Sequence, residues 1–97
     1  MEGKSKVGKV AVGGKPAIFY TMKALEYLRL GHDEVVFMAR GGKIAKAFQA
    51  VALLTGRYAR TVKVDVEYRT RVVVDRKSGA KDYVPEVFIR VKKNVKA

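Results

Sequence analysis

Two short segments place glycine and lysine at the point where a strand pattern changes to a helix pattern. They are Gly13-Gly14-Lys15 and Gly41-Gly42-Lys43. The start of a helix exposes unpaired backbone N–H groups and a partial positive charge, which attract a phosphate oxygen, and glycine lets that oxygen approach the backbone. Each glycine pair would also serve as a simple turn from strand to helix, but two basic corners together favour phosphate contact. The residues expected to provide it are Lys15, Arg40, Gly41, Lys43 and Lys46.

Neither corner has the spacing of a nucleotide-binding P-loop. That loop requires a glycine, four residues, Gly-Lys and then a serine or threonine. Upstream of Gly14-Lys15 the first glycine position is occupied by Lys9, and Pro16 stands at the hydroxyl position. We therefore do not expect a mononucleotide site here.

A further basic segment lies between Arg69 and Val84, in a predicted β-hairpin. Long basic β-ribbons enter nucleic-acid grooves or follow phosphates, and arginine is favoured in a narrow minor groove without reading much sequence. The alternative is an edge hairpin that carries charge to prevent aggregation. Because the predicted hairpin has no core to cover, we favour nucleic-acid binding over this alternative. Its candidate contacts are Arg69, Arg71, Arg76, Lys77 and Lys81.

Two tyrosines have both a functional and a structural interpretation. Tyr20 follows Lys15 by about one turn, where it would stack on a sugar, bind a phosphate or simply pack on the sheet rim. Tyr58 follows the second predicted helix and is either an exposed anchor for protein contact or a half-buried side chain. The residue pattern leaves these alternatives open.

The sequence contains no catalytic or metal-binding set. The chain has one histidine, His32, beside Asp33 in a predicted turn, and it has no cysteine. No cluster of histidines and carboxylates has metal-ligand spacing. We expect no enzymatic activity, no cofactor and no metal.

The composition limits the class of protein. The chain has 97 residues, 48% of them hydrophobic, with a net charge of +12 and a pI near 10.2. These values predict one folded domain with a polyanionic partner. Nucleic acid is favoured over a membrane surface, because no basic helix with a bulky apolar face is present. The absence of cysteine, of a signal peptide and of an apolar run of about 18 residues predicts a cytoplasmic protein.

Hydrophobic spacing predicts the order β-α-β-α-β-β. A strand from Val7 to Val12 and a strand from Glu34 to Ala39 each precede a helix. The first helix is expected to begin at Pro16 and to end at Gly31. The residues expected on the core faces of the helices are Ile18, Met22, Leu25 and Leu28 in the first, and Ile44, Ala47, Phe48, Val51 and Leu54 in the second.

The last two strands alternate between apolar and polar residues. Val62, Val64, Val66 and Tyr68 are expected to make the first a half-buried strand, and Val87, Ile89 and Val91 face the core from the second. A turn over residues 75–81 joins them, with Gly79 free to take a positive φ. The hairpin is expected to project by about 20 Å beyond the core.

These elements predict an α+β fold in two layers. A four-stranded mixed sheet would carry both helices on one face, with the hairpin protruding. A right-handed crossover between parallel first strands would place both glycine-lysine corners at one edge of the sheet. We expect a flexible basic arm over residues 1–6, a single domain over residues 7–93 and a C-terminal tail over residues 94–97.

Two motifs resemble the Alba family of archaeal chromatin proteins. They are the run Val12-Gly-Gly-Lys-Pro16 followed by Tyr20, and the run Ala39-Arg-Gly-Gly-Lys-Ile-Ala-Lys-Ala47. The resemblance covers residues 7–93, and the second motif is the more specific. It implies a non-enzymatic, nucleoid-associated homodimer that binds double-stranded DNA, and RNA, with little sequence preference.

The resemblance also implies residue roles. Lys15, Tyr20, Arg40, Lys46 and the basic hairpin residues match nucleic-acid contacts, and Tyr58 matches an aromatic residue through which dimers meet side by side on DNA. Members of the family often have two lysines before the proline, and the first of these lysines is acetylated in some members. In this chain the position of the first lysine is occupied by Gly14. Lys15 is therefore the candidate acetylation site. Pairing with a paralogue is a further implication.

The expected function is therefore that of an architectural chromatin protein that compacts or organises DNA. A dedicated RNA-binding subunit of a ribonucleoprotein is the main alternative, because it would use the same basic surface. An enzyme acting on nucleic acid would require a carboxylate or histidine cluster, and an adaptor for acidic proteins would not show salt-dependent DNA binding.

Overall fold

The computed structural model describes residues 6–58 and 62–93. Most of the predicted N-terminal arm and the whole C-terminal tail lie outside these residues. A 3-10 turn over Gly41–Lys43 precedes the second helix, and one π-helical turn over Leu54–Tyr58 follows it. The main elements are β1 (Val7–Ala11), α1 (Ala17–Arg29), β2 (Glu34–Arg40), α2 (Ile44–Leu53), β3 (Val62–Val74) and β4 (Lys81–Lys93).

The strands form one mixed sheet in the order β1-β2-β4-β3. β1 is parallel to β2, whereas β4 is antiparallel to both of its neighbours, β2 and β3. The order of elements and the α+β class confirm the prediction. β4 lies inside the sheet, so its apolar side chains have neighbours on both flanks.

The core lies between one face of the sheet and the two helices. The inward positions of β2 and β4 are buried, and Phe37, Ile89 and Val91 have no exposed surface. Both helices pack on the sheet, and the Thr21 hydroxyl of α1 donates a hydrogen bond of 2.9 Å to the Ala50 carbonyl of α2. This bond satisfies a buried polar group and holds the helices together.

The helices bury Leu25, Leu28, Ala47, Val51 and Leu54 as predicted, but three other predicted core residues are exposed. Ile18, Met22 and Phe48 are exposed by 43%, 39% and 41%, respectively. Small side chains face the core, because two helices that pack on each other and on a sheet must approach closely. The buried helix residues are Tyr20, Thr21, Ala24, Leu25 and Leu28 in α1, and Ala47, Ala50 and Val51 in α2.

The end of α1 confirms the predicted turn. Gly31 has a φ of 96°, and its N–H donates to the Leu28 carbonyl at 3.2 Å. The His32 N–H donates to the Tyr27 carbonyl at 3.1 Å, and the His32 ring lies against the Tyr27 ring with centroids 4.9 Å apart. These bonds complete the helix end, and His32 is accounted for by this packing.

The predicted half-burial of β3 is wrong for the single chain. Val64, Val66 and Tyr68 face the helix side of the sheet, opposite Val91, Ile89 and Val87 of β4, but they are exposed by 40%, 51% and 65%. The helices pack on β1, β2 and β4, and their layer ends before it covers β3. The alternating pattern of β3 therefore marks an apolar face that residues 6–58 and 62–93 leave uncovered.

The hairpin leaves the body where β2 ends. Arg40, the last residue of β2, pairs with Glu86, and beyond that pair β3 is the one described strand that pairs with β4. Pro85, which has no N–H to donate, stands immediately after the point where β2 stops. We call residues 70–85 the arm; Gly79 at its turn has a φ of 75°. With the arm the molecule extends over 54 × 32 × 18 Å, and its radius of gyration of 15.4 Å exceeds the roughly 12.5 Å of a compact chain of this length.

Candidate nucleic-acid interface

Both glycine-lysine corners lie at the same edge of the sheet. β1 and β2 are parallel, so the residues that follow them emerge together at the carboxyl ends of the strands. The arm extends past this same edge, because β3 runs parallel to β2 and continues beyond it. We call this surface the basic edge; the predicted cations on it are Lys15, Arg40, Lys43, Lys46, Arg69, Arg71, Arg76, Lys77 and Lys81.

The first corner is held by the Tyr20 hydroxyl. The backbone N–H groups of Gly13 and Lys15 donate to it at 2.8 and 3.1 Å, and the Tyr20 side chain is buried, with 5% exposed. The hydrogen bond from the Lys15 N–H is the largest effect on the pKa of the Tyr20 hydroxyl, and it lowers that pKa. The hydrogen bond from the Gly13 N–H and the ammonium charges of Lys46 and Lys15 lower the pKa further, whereas burial raises it. Tyr20 thus shapes the corner from inside.

Lys46 connects the two corners. Its ammonium group, on α2, donates a hydrogen bond of 3.2 Å to the Gly13 carbonyl in the first corner. The residue is half-buried, so its charge lies at the base of the corner rather than on a free side chain. The backbone of the first corner is therefore fixed by Tyr20 through its N–H groups and by Lys46 through a carbonyl.

Lys15 projects from this corner. It is exposed, and its ammonium group lies 5.0 Å from the centre of the Phe19 ring. An ammonium over an aromatic face is attracted by the ring's quadrupole. Phe19 therefore stabilises the Lys15 side chain close to the surface.

The second corner joins the root of the arm. Gly41 has a φ of 53°, a conformation that suits glycine, and a Cβ placed on it would lie 3.8 Å from a methyl group of Val84. Arg40 and Lys43 flank this turn and are exposed. The corner and the arm therefore form one continuous surface.

Two arginines at the root of the arm have acidic neighbours. The Arg69 guanidinium lies 2.8 Å from the Glu67 carboxylate, and the Arg71 guanidinium lies 3.7 Å from that of Glu86. At the tip, the Asp75 carboxylate accepts a bond of 2.8 Å from the Lys77 N–H, which shapes the turn and leaves the Lys77 side chain exposed. Within the described residues, the charged groups of Arg76, Lys77 and Lys81 at the tip have no carboxylate within 4 Å, whereas those of Arg69 and Arg71 at the root do.

Tyr58 lies in the π-helical turn that follows α2, away from the basic edge. It is 43% exposed and has Arg57 as its neighbour in the chain. The structure thus shows an exposed ring, one of the two alternatives that the sequence left open.

Within residues 6–58 and 62–93, no three histidine or acidic side chains gather as a metal-binding group. The described helices are also too short or too polar to cross a membrane.

Sequence reasoning missed an aromatic and an acidic residue at the basic edge. Phe88 and Glu86 face outward from β4, on the side of the sheet opposite the helices, and both are half-buried. An available signal was that a phenylalanine occupied a polar position in the alternation between Val87 and Ile89.

A family model and solved structures match the chain. The Alba family model matches residues 9–71. Alba from Thermoplasma volcanium superposes with a TM-score of 0.79 at 17% identity, over 89% of this chain and 100% of that chain, which is a likeness of fold. The crystal structure of ALBA1 from Trypanosoma brucei superposes with a TM-score of 0.70 at 25% identity, over 89% of this chain and 68% of that one.

Proposed function

The chain belongs to the Alba family, whose members are non-enzymatic nucleic-acid-binding proteins, and on that basis we propose that it is an architectural protein of chromatin. In this proposal it binds double-stranded DNA, and RNA, with little sequence preference and organises or compacts the chromosome in the nucleoid. The observation that carries it is the position of both basic corners and the arm on one edge of the sheet.

The basic edge supports contact with phosphates rather than with base edges. Cations distributed over two corners and the arm suit a rod that carries a negative charge about every 1.7 Å of its axis. In the proposal the corners rest on phosphates, and the arm, about 20 Å of two-stranded ribbon, enters a minor groove. Such contacts position the protein but carry little sequence information.

The uncovered face of β3 supports a homodimer. Val64, Val66 and Tyr68 present contiguous apolar surface on a sheet edge, and both an exposed apolar patch and an open edge are usually covered by a partner. A second copy supplies a matching face by two-fold symmetry. Two copies then offer two arms to one duplex.

Two further roles belong to this proposal. Tyr58, exposed on another surface, provides the side-by-side contact between dimers on DNA. Lys15 is the acetylation site, because removing its charge would remove a phosphate contact at the first corner.

The test of this function is the salt dependence of duplex binding. A dimer that neutralises about 6 to 10 phosphates should lose roughly 10³- to 10⁵-fold in affinity for a random-sequence duplex between 50 and 200 mM salt. The measurement is fluorescence anisotropy with several duplexes of unrelated sequence and with structured RNA as a competitor. An affinity that stays constant over this range, or that is strong for one sequence only, contradicts the proposal.

Arg40→Ala tests whether the basic edge is the surface used. It should weaken binding to every sequence by a similar factor and lower the slope of log affinity against log salt by about 1 for each copy of the chain in contact with the duplex. Arg29→Ala is the matched control, because it removes the same charge from the far end of α1. Equal losses in the two variants would show that net charge, rather than this edge, governs binding.

A further inference from the structure

A cleft opens on the outer face of the sheet, next to the second corner and the root of the arm. Its volume is about 590 Å³, within the range of small-ligand sites. Part of its lining is apolar and comes from Ala11, Met38 and Phe88. These residues lie in register across three strands, because Ala11 pairs with Met38 and Met38 pairs with Phe88. The apolar lining is therefore a flat patch of sheet with a small residue at one end.

The Phe88 ring is held in place from one side. The Arg69 guanidinium lies 4.7 Å from the ring centre, and it is in turn bound by the Glu67 carboxylate at 2.8 Å. Arg69 is not among the residues that line the cleft. The ring is thus a fixed wall of the cleft, restrained by a cation behind it.

Cations surround the cleft. Arg40, Lys43 and Arg71 contribute to its lining, and all three are exposed to solvent. They belong to the basic edge, so any phosphate chain bound there passes the mouth of the cleft. A group attached to that chain would be delivered directly to the aromatic wall.

One carboxylate stands among these cations. The Glu86 side chain, 17% exposed, also lines the cleft, and within the described residues its charged neighbour inside 4 Å is Arg71 at 3.7 Å. That distance is longer than the 2.7–2.9 Å of a close charge-assisted hydrogen bond, so the carboxylate oxygens are available as acceptors. A carboxylate repels phosphate, but it accepts hydrogen bonds from the N–H groups of a base.

We propose that this cleft binds a single unpaired base of a nucleic acid, with guanine preferred. The base lies against Phe88 and Met38 while its flanking phosphates contact Arg40, Lys43 and Arg71. The Watson–Crick edge of guanine carries two adjacent N–H donors, which match the two oxygens of Glu86; thymine and uracil present one N–H between two carbonyls. This rests on the proposed function and adds to it a means of recognising bulges and unpaired sites within a bound duplex.

Flat aromatic surface bordered by cations is how proteins bind unpaired bases. Stacking on an aromatic side chain accounts for roughly 5-fold or more in affinity per base. On an open sheet the same arrangement presents side chains to splayed bases. A paired base has its Watson–Crick edge occupied and does not reach the cleft.

The experiment compares four 20-base-pair DNA duplexes by anisotropy at one salt concentration. The first is fully paired, and the others carry one central bulged nucleotide with guanine, with thymine or with no base. The abasic bulge has the same extra phosphate and kink, so it controls for shape. We expect the guanine bulge to bind about 5-fold or more tightly than the abasic bulge, and the thymine bulge to bind less tightly than guanine.

Two substitutions test the cleft itself. Phe88→Leu should reduce the ratio of guanine-bulge to abasic-bulge affinity towards 1, and Glu86→Gln, which keeps the shape, should reduce the preference for guanine over thymine. Phe48→Leu is the matched control: it makes the same change at a phenylalanine of α2 that is 41% exposed on the opposite side of the sheet, and it should leave both ratios as in the unmodified protein.

The outcomes separate this inference from the proposed function. If the fully paired duplex is not bound, the proposed function fails. If that duplex is bound while a guanine bulge and an abasic bulge bind equally, or while Phe88→Leu leaves their ratio unchanged, the base site is overturned and the proposed function stands. A guanine preference that survives Glu86→Gln overturns the recognition by Glu86.

Discussion

The Tyr20 hydroxyl accepts hydrogen bonds from the backbone N–H groups of Gly13 and Lys15, so those two groups are not free to bind a phosphate. The sequence predicted the N–H groups of this corner as phosphate contacts. For Tyr20 it left open stacking on a sugar, a bond to a phosphate or packing on the sheet rim. The geometry supports a different division of labour, in which Tyr20 and Lys46 hold the backbone and the exposed Lys15 reaches the ligand. We propose Tyr20 as a positioning residue.

Tyr20→Phe tests this role. Removing the hydroxyl leaves two N–H groups without their acceptor, which should lower the free energy of unfolding by about 1–3 kcal/mol and weaken duplex binding, because the corner is no longer held. Urea unfolding and anisotropy are the measurements. Tyr83→Phe, at a tyrosine of the arm that is 67% exposed, is the control for stability and should leave the free energy of unfolding unchanged. Unchanged stability together with weaker binding would instead indicate direct contact with the ligand.

The lowered pKa of Tyr20 predicts an early tyrosine titration. Because the folded state favours the ionised form, Tyr20 should lose its proton at a lower pH than an ordinary tyrosine does. Its extra contribution to stability is present above the unfolded value of about 10 and is lost as the pH falls through the folded value; near neutral pH it is absent. Absorbance at 295 nm should show this early phase, and Tyr20→Phe should remove it. An early phase that persists in the variant belongs to another tyrosine.

The arm is the part of the hairpin that extends beyond the core of the protein. From Thr70 to Pro85 it pairs only with itself, and its tip carries Arg76, Lys77 and Lys81 away from the carboxylates at the root. An exposed two-stranded ribbon gains little stability from burial, so the length of the arm is better explained by binding than by stability. Its contribution should therefore appear in affinity and in salt dependence.

Replacing Arg76, Lys77 and Lys81 together by glutamine should lower the salt slope by about 3 for each arm engaged, at 0.9 per phosphate contact. The free energy of unfolding should stay within about 0.5 kcal/mol of the unmodified value, because these side chains are exposed. The matched control replaces Lys63, Lys92 and Lys93, at the other end of the same two strands. Similar slopes for both triple variants would show that the arm tip makes no specific contribution.

The whole molecule is a half-covered sheet. Its helices shield β1, β2 and β4 and leave the apolar side of β3 open, while the outer face carries the cleft and the basic edge. One chain thus presents apolar and cationic surfaces in different directions. This separation supports the proposed assembly, in which the first surface joins two copies and the second binds the duplex.

Val66→Glu tests that assembly. A carboxylate at this position, 51% exposed in the single chain, should leave the fold intact but disrupt the interface between copies. Sedimentation should show the unmodified protein at twice its 10.8 kDa chain mass and the variant at the chain mass, with weaker duplex binding because bivalency is lost. Val73→Glu, on the other face of β3 but within the arm, is the control for the sedimentation measurement alone and should remain at twice the chain mass. A variant that remains dimeric would place the interface elsewhere.

Local patterns were enough to establish the class, the order of elements and the basic segments. Gly31 and Gly79 were identified correctly as turn residues because a positive φ depends on the residue itself. The corners were correctly placed at one edge because parallel strands with a short crossover have few alternatives. Net charge, which does not depend on the fold, indicated a polyanionic partner.

Packing determined what those patterns left open. Hydrophobic spacing selected the large Ile18, Met22 and Phe48, but close packing of two helices on a sheet buried Ala24 and Ala50 in their place. The same spacing predicted half-burial for β3, whereas the extent of the helix layer left its apolar residues exposed. The Tyr20 hydrogen bonds and the Phe88 cleft depend on residues distant in the chain meeting in space. Periodicity reports which side of an element is apolar; the arrangement of the other elements decides what covers that side.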